Sequence, residues 1–491
     1  MCSRIPIATP TFGLPHPYIR QLFLTIVVPR MEYALPVWYR PVTEREGVRR
    51  KGTVWVARTL GKVQRQACKL ITGALRTTAT DTLDFHAHLL PTHIRLNRSV
   101  FNAATRLATL PASNPVRRTF LRCRRVPRFH RSPIHHIIAA FPILQRDFET
   151  IDPQRRLVSI PDGTLTTHIA RTKDEAKDRM ERIMARGGTC IFTDGSGFEG
   201  GVGSAAVAMK GEEVRTTRSK HLGGEDKHTV FEAEVCGAIL ALDIISGTPR
   251  LTDVDLFMDC QPTIHAISSP QPQPGQYLLA AFHALLGRLL SKRRTLKIRI
   301  HWVPAHIGIT GNELVDGLAK EAAQGDSSPL SSRVALFESP LPASKAAAVA
   351  SGIKAFNARW LAEWKPSPRF TRISAFDSAI PSKTVTRMYN KLNRPGCSIL
   401  TQLRTGHIGL NAYLHRFHLA PSPLCPHCAA VPESVSHFLL ACPAHRTHRL
   451  RLIARVGTTR ISLRRLLSIK HEPGPVLAFV RDTGRFPRYA L

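Results

Sequence analysis

The chain has 491 residues, of which 43% are hydrophobic, so it is long enough for two to four domains with ordinary cores. Its formal net charge of +34 points to a polyanionic partner, because solubility alone does not require this sign. The first residues lack the long apolar run of a secretory signal, and no stretch has the length of a membrane span. We therefore expect an intracellular protein, nuclear or cytoplasmic, whose ten cysteines are reduced.

The positive charge lies outside the middle of the chain. Residues 1–150 carry 24 Lys and Arg against 7 Asp and Glu, a net of +17. Residues 366–491 carry 19 against 4, a net of +15, whereas residues 188–325 carry 13 against 15, a net of −2. The flanks therefore suit contact with a phosphate backbone, and the centre keeps the carboxylates that metal ions need.

Residues 14–150 are predicted to be a helical, basic region. Apolar residues at helical spacing run from Val63 to Leu75, and the arginine-rich stretch 117–131 contains prolines and is expected to be a solvated loop. Such a region suits the thumb and connection of a polymerase, but no aspartate pair at a strand turn provides a polymerase palm. Polymerase activity is therefore disfavoured. Residues 150–187 are predicted to be a linker that ends in a charged helix, 173–186.

Residues 186–326 alternate predicted strands and helices, which indicates an α/β domain. Asp194 and Asp259 each end an apolar run, Glu234 lies in a helical pattern, and Asp316 lies in the last helix. Each of these carboxylates alone is more typical of a turn or a cap. Together, at strand ends and on helices, they can converge on two hard cations that drive in-line attack on a phosphodiester.

Residues 326–350 are rich in Ser, Pro and Ala, so a linker is predicted here, with bounds of 327–365. The basic region 366–491 contains Cys425, Cys428, His437 and Cys442 in CxxC-x8-H-x4-C spacing. Three thiolates and an imidazole form a closed tetrahedral site for structural Zn²⁺, and His445 is a spare candidate ligand. The alternative is that these are buried core cysteines.

Several of these residues match the pattern of a known protein family. The span 190–323, with its four carboxylates and His306, resembles a type 1 ribonuclease H domain, in the form found in non-LTR (LINE-type) retrotransposon polyproteins. The cluster from Cys425 to Cys442 resembles the zinc knuckle of such elements, and residues 14–38 resemble the tail of their reverse transcriptase. The implied fold is a mixed five-stranded sheet with flanking helices, plus a helical basic N-terminal region and a small zinc-knuckle C-terminal region.

The resemblance also implies roles for single residues. It selects Glu234 over Glu232, between which periodicity does not decide, and it leaves Glu232 on a solvated face. Asp194, Glu234, Asp259 and Asp316 would hold two Mg²⁺ ions, for which Mn²⁺ can substitute, and His306 would assist proton transfer or product departure. The chain departs from the family at Cys260 and Pro262, which follow Asp259, and at Gly197.

The implied activity is endonucleolytic hydrolysis of the RNA strand of RNA–DNA hybrids, leaving 3′-hydroxyl and 5′-phosphate ends. The basic flanks would contact the phosphate backbone of the hybrid. The alternative is a catalytically silent, nucleic-acid-binding remnant of a retroelement. Intact carboxylates favour the enzyme, and the sequence predicts no oligomeric state.

Overall fold

The computed structural model describes residues 8–45, 48–125, 130–154, 158, 160–305, 308–329, 334–378, 381–458 and 460–489. The chain divides into two compact units. Unit 1 combines residues 1–100 with 354–491, and unit 2 comprises residues 101–353. None of the helices in the described ranges is long and apolar enough to cross a membrane.

The N-terminal part of unit 1 is mainly helical. Its elements are α1 (His16–Leu22), a π-helical turn (Phe23–Val27), α2 (Val28–Met31), α3 (Leu35–Trp38), the strands β1 (Thr43–Arg45) and β2 (Val48–Lys51), α4 (Val54–Thr72), α5 (Thr80–Ala87) and the first half of α6 (Thr92–Ala108). Its core joins Cys68 and Ile71 of α4 to Leu83 of α5 and to Phe23. Helix α4 ends at Thr72 and is capped by Gly73, whose φ of +68° is accessible to glycine without strain.

Unit 2 is built around one mixed sheet. Its elements are α7 (Pro115–Arg122), α8 (Pro133–Ala140), β3 (Leu165–His168), α9 (Lys173–Met184), β4 (Thr189–Phe198), β5 (Gly201–Lys210), β6 (Glu213–Gly224), α10 (Val230–Gly247), β7 (Asp253–Met258), α11 (Gln261–Ser268), α12 (Gln276–Lys292), β8 (Lys297–Trp302), α13 (Thr310–Gln324) and the first half of α14 (Lys345–Trp364), with 3-10 turns at Pro142–Gln145 and Ala335–Phe337. The strand order is β3-β8-β7-β4-β5-β6. The first four strands are parallel to one another, and β5 and β6 continue antiparallel.

The two faces of this sheet bury alternate residues of each strand, as the pleat requires. Ile191 and Leu256 point to the face that is covered by α10, α11 and α12. Phe192 and Phe257 stack on the opposite face, which α9 and α13 cover. Both faces are therefore apolar and buried, so the carboxylates gather where the parallel strands end.

The C-terminal part of unit 1 is helical again. Its elements are α15 (Pro368–Ser374), α16 (Thr384–Arg387), α17 (Arg394–Thr405), α18 (Asn411–His415), a π-helical turn (His437–Ala441), a 3-10 turn (Pro443–His445), α19 (Arg446–Val456), α20 (Leu463–Leu467) and α21 (Gly474–Asp482). Every residue of α17 is buried. Arg394 of this helix donates to the Ile71 carbonyl at 3.1 Å, which ties α17 to α4.

The predicted α/β class with additional helical regions is confirmed, and three local features differ from the expectation. The sheet has six strands rather than five, because β3 forms within the predicted linker 150–187 and pairs in parallel with β8. Helix α14 occupies much of the predicted linker 327–365. The arginine-rich stretch 117–131 begins as helix α7, whose N-cap Asn114 accepts from the Val116 amide at 2.9 Å, and residues 126–129 lie outside the described ranges.

Candidate active site and candidate metal centres

Three of the four predicted carboxylates converge at one edge of the sheet. Asp194 lies in β4 and Asp259 directly follows β7, and the parallel pairing of these strands ends at Thr193 and Met258. Glu234 lies near the start of α10. One oxygen from each of Asp194, Glu234 and Asp259 lies within 4.8 Å of the others, so the three groups can share a cation.

The close approach of α10 to β4 depends on small residues. A Cβ on Gly195 would lie 2.4 Å from the Glu234 amide nitrogen, so any larger residue there would push the helix away. Ser204 of β5 donates to the Ala233 carbonyl at 2.7 Å, which fixes the helix against the sheet. Because Gly195 has no side chain, α10 can pack close to β4, and this places Glu234 near Asp194.

The neighbouring Glu232 has a structural role. It is fully buried, and its carboxylate accepts from the Thr229 amide at 2.8 Å while the Thr229 hydroxyl accepts from the Glu232 amide, which forms a capping box. Tyr277 also donates to this carboxylate at 3.3 Å. The expectation that Glu232 lies on a solvated face is therefore wrong, because the helix cap and Tyr277 hold it inside.

The electrostatics of the cluster favour a bound cation. Burial, followed by the charges of Asp259 and Asp316, raises the pKa of Asp194 to about 7. Burial and the charges of Asp194 and Asp259 raise the pKa of Glu234 well above its usual value. Within the described residues, the buried Glu234 Oε2 has no hydrogen-bond partner. Buried, mutually repelling carboxylates with an unsatisfied oxygen fit a divalent ion, which would supply the missing positive charge.

Asp316 stands apart from this group. Its Oδ2 accepts from Lys320 Nζ at 2.7 Å, one turn further along α13, and it is outside the set of oxygens within 4.8 Å. Its charge nevertheless acts on Asp194. His306 lies outside the described residues.

Trp302 is a further residue at this edge of the sheet. Its Nε1 donates to the Asp259 carbonyl at 3.0 Å and so fixes the backbone that carries the Asp259 carboxylate. This residue was not predicted from the sequence. The available signal was its place at the end of the alternating strand β8, next to the end of β7.

The cysteine and histidine cluster is also assembled. Ligand atoms of Cys425, Cys428, His437 and Cys442 lie within 4.8 Å of one another. Cys425 Sγ lies 3.7 Å from Cys442 Sγ, and Cys428 Sγ lies 3.4 Å from His437 Nε2. Tetrahedral zinc with Zn–S bonds of about 2.3 Å requires S–S separations of about 3.8 Å, so this set fits Zn²⁺.

Local structure brings these ligands together. The Cys425 amide donates to the Val431 carbonyl at 2.9 Å, which closes the turn that carries Cys428. His437 begins the π-helical turn that ends just before Cys442. His445, the spare candidate, is not among the clustered ligands; its ring packs on Phe438, and burial lowers its pKa to about 4.

Residues 186–324 match the family model of RNase H. RNase H1 from the halophilic archaeon Halobacterium salinarum NRC-1 is 20% identical, with a TM-score of 0.23, over 28% of this chain and 100% of that chain. LC11-RNase H1, solved in complex with an RNA/DNA hybrid, is 19% identical, with a TM-score of 0.23, over 28% of this chain and 96% of that chain. The foamy viral protease-reverse transcriptase, solved in complex with dsDNA, is 19% identical, with a TM-score of 0.24, over 28% of this chain and 96% of that chain.

No curated protein matches the chain. The family model and the mixed sheet with its flanking helices agree on an RNase H fold for residues 186–324.

Proposed function

We propose that unit 2 hydrolyses the RNA strand of RNA–DNA hybrids, endonucleolytically, at the site formed by Asp194, Glu234 and Asp259 with Asp316 beside them. The observation that carries this proposal is the convergence of three carboxylates in a domain that matches RNase H. LC11-RNase H1 was solved with an RNA/DNA hybrid, which supports the same substrate class. Discrimination would rest on the 2′-hydroxyl of one strand, with little reading of bases.

The side chains would divide the work. Asp194, Glu234 and Asp259 would hold two Mg²⁺ ions, or Mn²⁺ ions. Asp316 would be the fourth carboxylate ligand, once the hydrogen bond from Lys320 is displaced or shared with the metal. When bound, such ions activate a water and stabilise the leaving 3′-oxygen. His306 would assist proton transfer or product departure, so His306→Ala should retain measurable but reduced turnover.

The test is cleavage of an end-labelled hybrid by the full chain, with and without Mg²⁺. Expected products carry 3′-hydroxyl and 5′-phosphate ends, and they come only from the RNA strand of the hybrid. Double-stranded DNA and double-stranded RNA of the same sequence serve as matched controls. Binding without cleavage in either Mg²⁺ or Mn²⁺ would instead support the silent, nucleic-acid-binding remnant.

We also propose that Cys425, Cys428, His437 and Cys442 hold one structural Zn²⁺ and that the chain derives from a non-LTR retrotransposon. The thiol separations support the zinc site, and the order of the RNase H segment and the cysteine cluster supports the origin. A zinc site needs reduced thiols, which is consistent with an intracellular, nuclear or cytoplasmic location. The basic flanks would contact the phosphate backbone of the hybrid.

A further inference from the structure

Two adjoining hollows lie on the surface of unit 1, and Tyr413 lines both. The larger has a volume of about 630 Å³, and its lining includes Arg76, Phe486, Arg488 and Tyr489. The smaller has a volume of about 320 Å³ and includes Arg372 and Arg416. Both lie within the roughly 300–1,000 Å³ that bound small ligands occupy. They are neighbours because Tyr413 lines both, and the two hollows together are called the groove below.

The groove is positively charged. Arg76 and Arg488 are exposed, and neither has a carboxylate partner among the described residues. Glu433 is the acidic residue in the lining of the smaller hollow, and Arg485 neutralises it with two hydrogen bonds of 2.8 Å. Arg372 donates to the Arg404 carbonyl at 3.1 Å, whereas Arg76, Arg416 and Arg488 are exposed and therefore available to an anionic ligand.

The aromatic rings of the groove are held in place. The Tyr413 ring packs on His407 and Phe417, with centroids 5.2 and 5.0 Å away. Tyr489 OH accepts from Gln402 Nε2 at 2.9 Å, and Phe486 packs edge-on against Phe438. Tyr413 is buried and forms the wall between the two hollows, whereas Phe486 and Tyr489 are half-buried. Half-buried rings that are fixed before binding stack on a flat ligand at a small cost in side-chain entropy.

We propose that this groove binds a single-stranded nucleic acid, with phosphates on Arg76, Arg488 and Arg416 and unpaired bases in the hollows. Arginines beside fixed aromatic rings are the combination that single-stranded nucleic acids require. Paired bases are stacked inside a duplex and cannot enter a hollow, so a hybrid or a duplex does not use this groove fully. The proposal does not rest on nuclease activity in unit 2, since every residue of the groove belongs to unit 1.

The first test compares two double variants of the full chain. Arg76→Ala with Arg488→Ala removes two groove cations, whereas Arg30→Ala with Arg451→Ala removes two exposed arginines that line neither hollow. Binding of labelled DNA and RNA single strands of about 12 nucleotides is measured by fluorescence anisotropy without Mg²⁺. The groove variant should bind about 10-fold more weakly, and its slope of log affinity against log salt should be shallower by about 1.4.

Equal losses in the two double variants would overturn the proposal, because the effect would then be one of net charge. DNA and RNA strands should respond alike, since no group of the groove has been assigned to the 2′-hydroxyl. A loss for RNA alone, or for DNA alone, would also count against a site for both.

The second test separates stacking from charge. Phe486→Leu and Tyr489→Leu keep an apolar side chain and the net charge, and each should weaken single-strand binding about 5-fold or more while duplex binding stays unchanged. Equal weakening for duplex and single strand would contradict the groove. Polyglutamate, which carries negative charge but no bases, is the control for a purely anionic ligand. If it displaces the labelled strand as well as a nucleic acid of equal charge does, the rings do not contribute to binding and the proposal is overturned.

Discussion

The pKa values of two buried aspartates in the same sheet, Asp194 and Asp255, are shifted in opposite directions. Burial and neighbouring carboxylates raise the pKa of Asp194 to about 7. Burial alone would also raise the pKa of Asp255, but hydrogen bonds from His301 and Arg299 outweigh it and lower that pKa to about 2. The fold therefore stabilises the charge on Asp255 and opposes the charge on Asp194, which separates a structural aspartate from a candidate ligand.

Asp194→Asn should abolish hybrid cleavage without unfolding unit 2. The substitution removes one anionic ligand, so we expect turnover to fall by about 100-fold or more. It also removes a carboxylate that burial and repulsion disfavour, so the metal-free melting temperature should stay the same or rise. Initial rates with Mg²⁺ and thermal unfolding without it check both outcomes. Turnover near that of the unaltered protein would show that Asp194 is not a ligand.

Asp255→Asn is the matched control with the opposite pattern. Because the pKa of Asp255 is depressed from 3.8 to about 2, the charged group stabilises the fold by about 2 kcal/mol at neutral pH. This contribution is present above the unfolded pKa and is lost as pH falls through about 2. The variant should therefore be less stable at neutral pH, approach the unaltered protein in acid, and still cleave. Denaturant unfolding across pH measures the difference.

The residues of the candidate site were predictable to different degrees. Asp194 and Asp259 end apolar runs, and these local settings suggested strand ends. This is correct for Asp259, whereas β4 continues past Asp194 to Phe198 and only its parallel pairing with β7 ends at Thr193. Glu232 and Glu234 could not be separated by periodicity, because the cap that buries Glu232 depends on Thr229 and on Tyr277, which lies 45 residues further along the chain. The contact of Trp302 with Asp259 likewise depends on strand pairing.

At the scale of elements, long patterned segments were predicted and short ones were not. β3 has four residues, Leu-Thr-Thr-His, with one strongly apolar side chain, so it lacks the alternation that marks a strand. Its pairing is supplied by the backbone of β8. In α4 the predicted apolar stripe was partly wrong, since Val63 and Leu70 are exposed and the core uses Cys68 and Ile71.

The segment before the RNase H match should contribute to the stability of unit 2. Helix α9 buries Met180 and Ile183 against the sheet, at roughly 1.5–3 kcal/mol for each side chain. A fragment of residues 186–344 lacks α9 and β3, so it should melt well below a fragment of residues 160–344. Calorimetry compares the two. Equal melting temperatures would show that the preceding segment adds little to the sheet.

Cys428→Ser should remove zinc and loosen the C-terminal part of unit 1. The site needs thiolates, so the loss of one ligand costs metal affinity and local folding together. Elemental analysis of protein purified without chelator should give one zinc per chain before the substitution and much less after it. Cys397→Ser is the control, because Cys397 is buried in α17 and is not one of the clustered ligands. Absence of zinc in the unaltered protein would contradict the assignment.

At the scale of the whole molecule, composition revealed the charge pattern but not the chain's division into units. Unit 1 joins residues that are hundreds of positions apart, as in the hydrogen bond of 2.9 Å between His86 Nδ1 and Tyr389 OH. No local pattern encodes such a pairing. The charge segregation, in contrast, needs only counting, since residues 160–344 carry 20 Lys and Arg against 22 Asp and Glu in a chain of net +34.

The flanks should therefore govern affinity for the hybrid, and the centre should govern cleavage. Counterion release makes binding fall with salt in proportion to the number of phosphates contacted, so the full chain should show a steep decline. A fragment of residues 160–344 has a net charge of −2 and should bind more weakly with a shallower slope, yet still cleave at low salt. Titrating both on one hybrid across a salt series, with Asp194→Asn in each to prevent cleavage, measures the slopes. Equal slopes would mean that the basic flanks do not contact the hybrid.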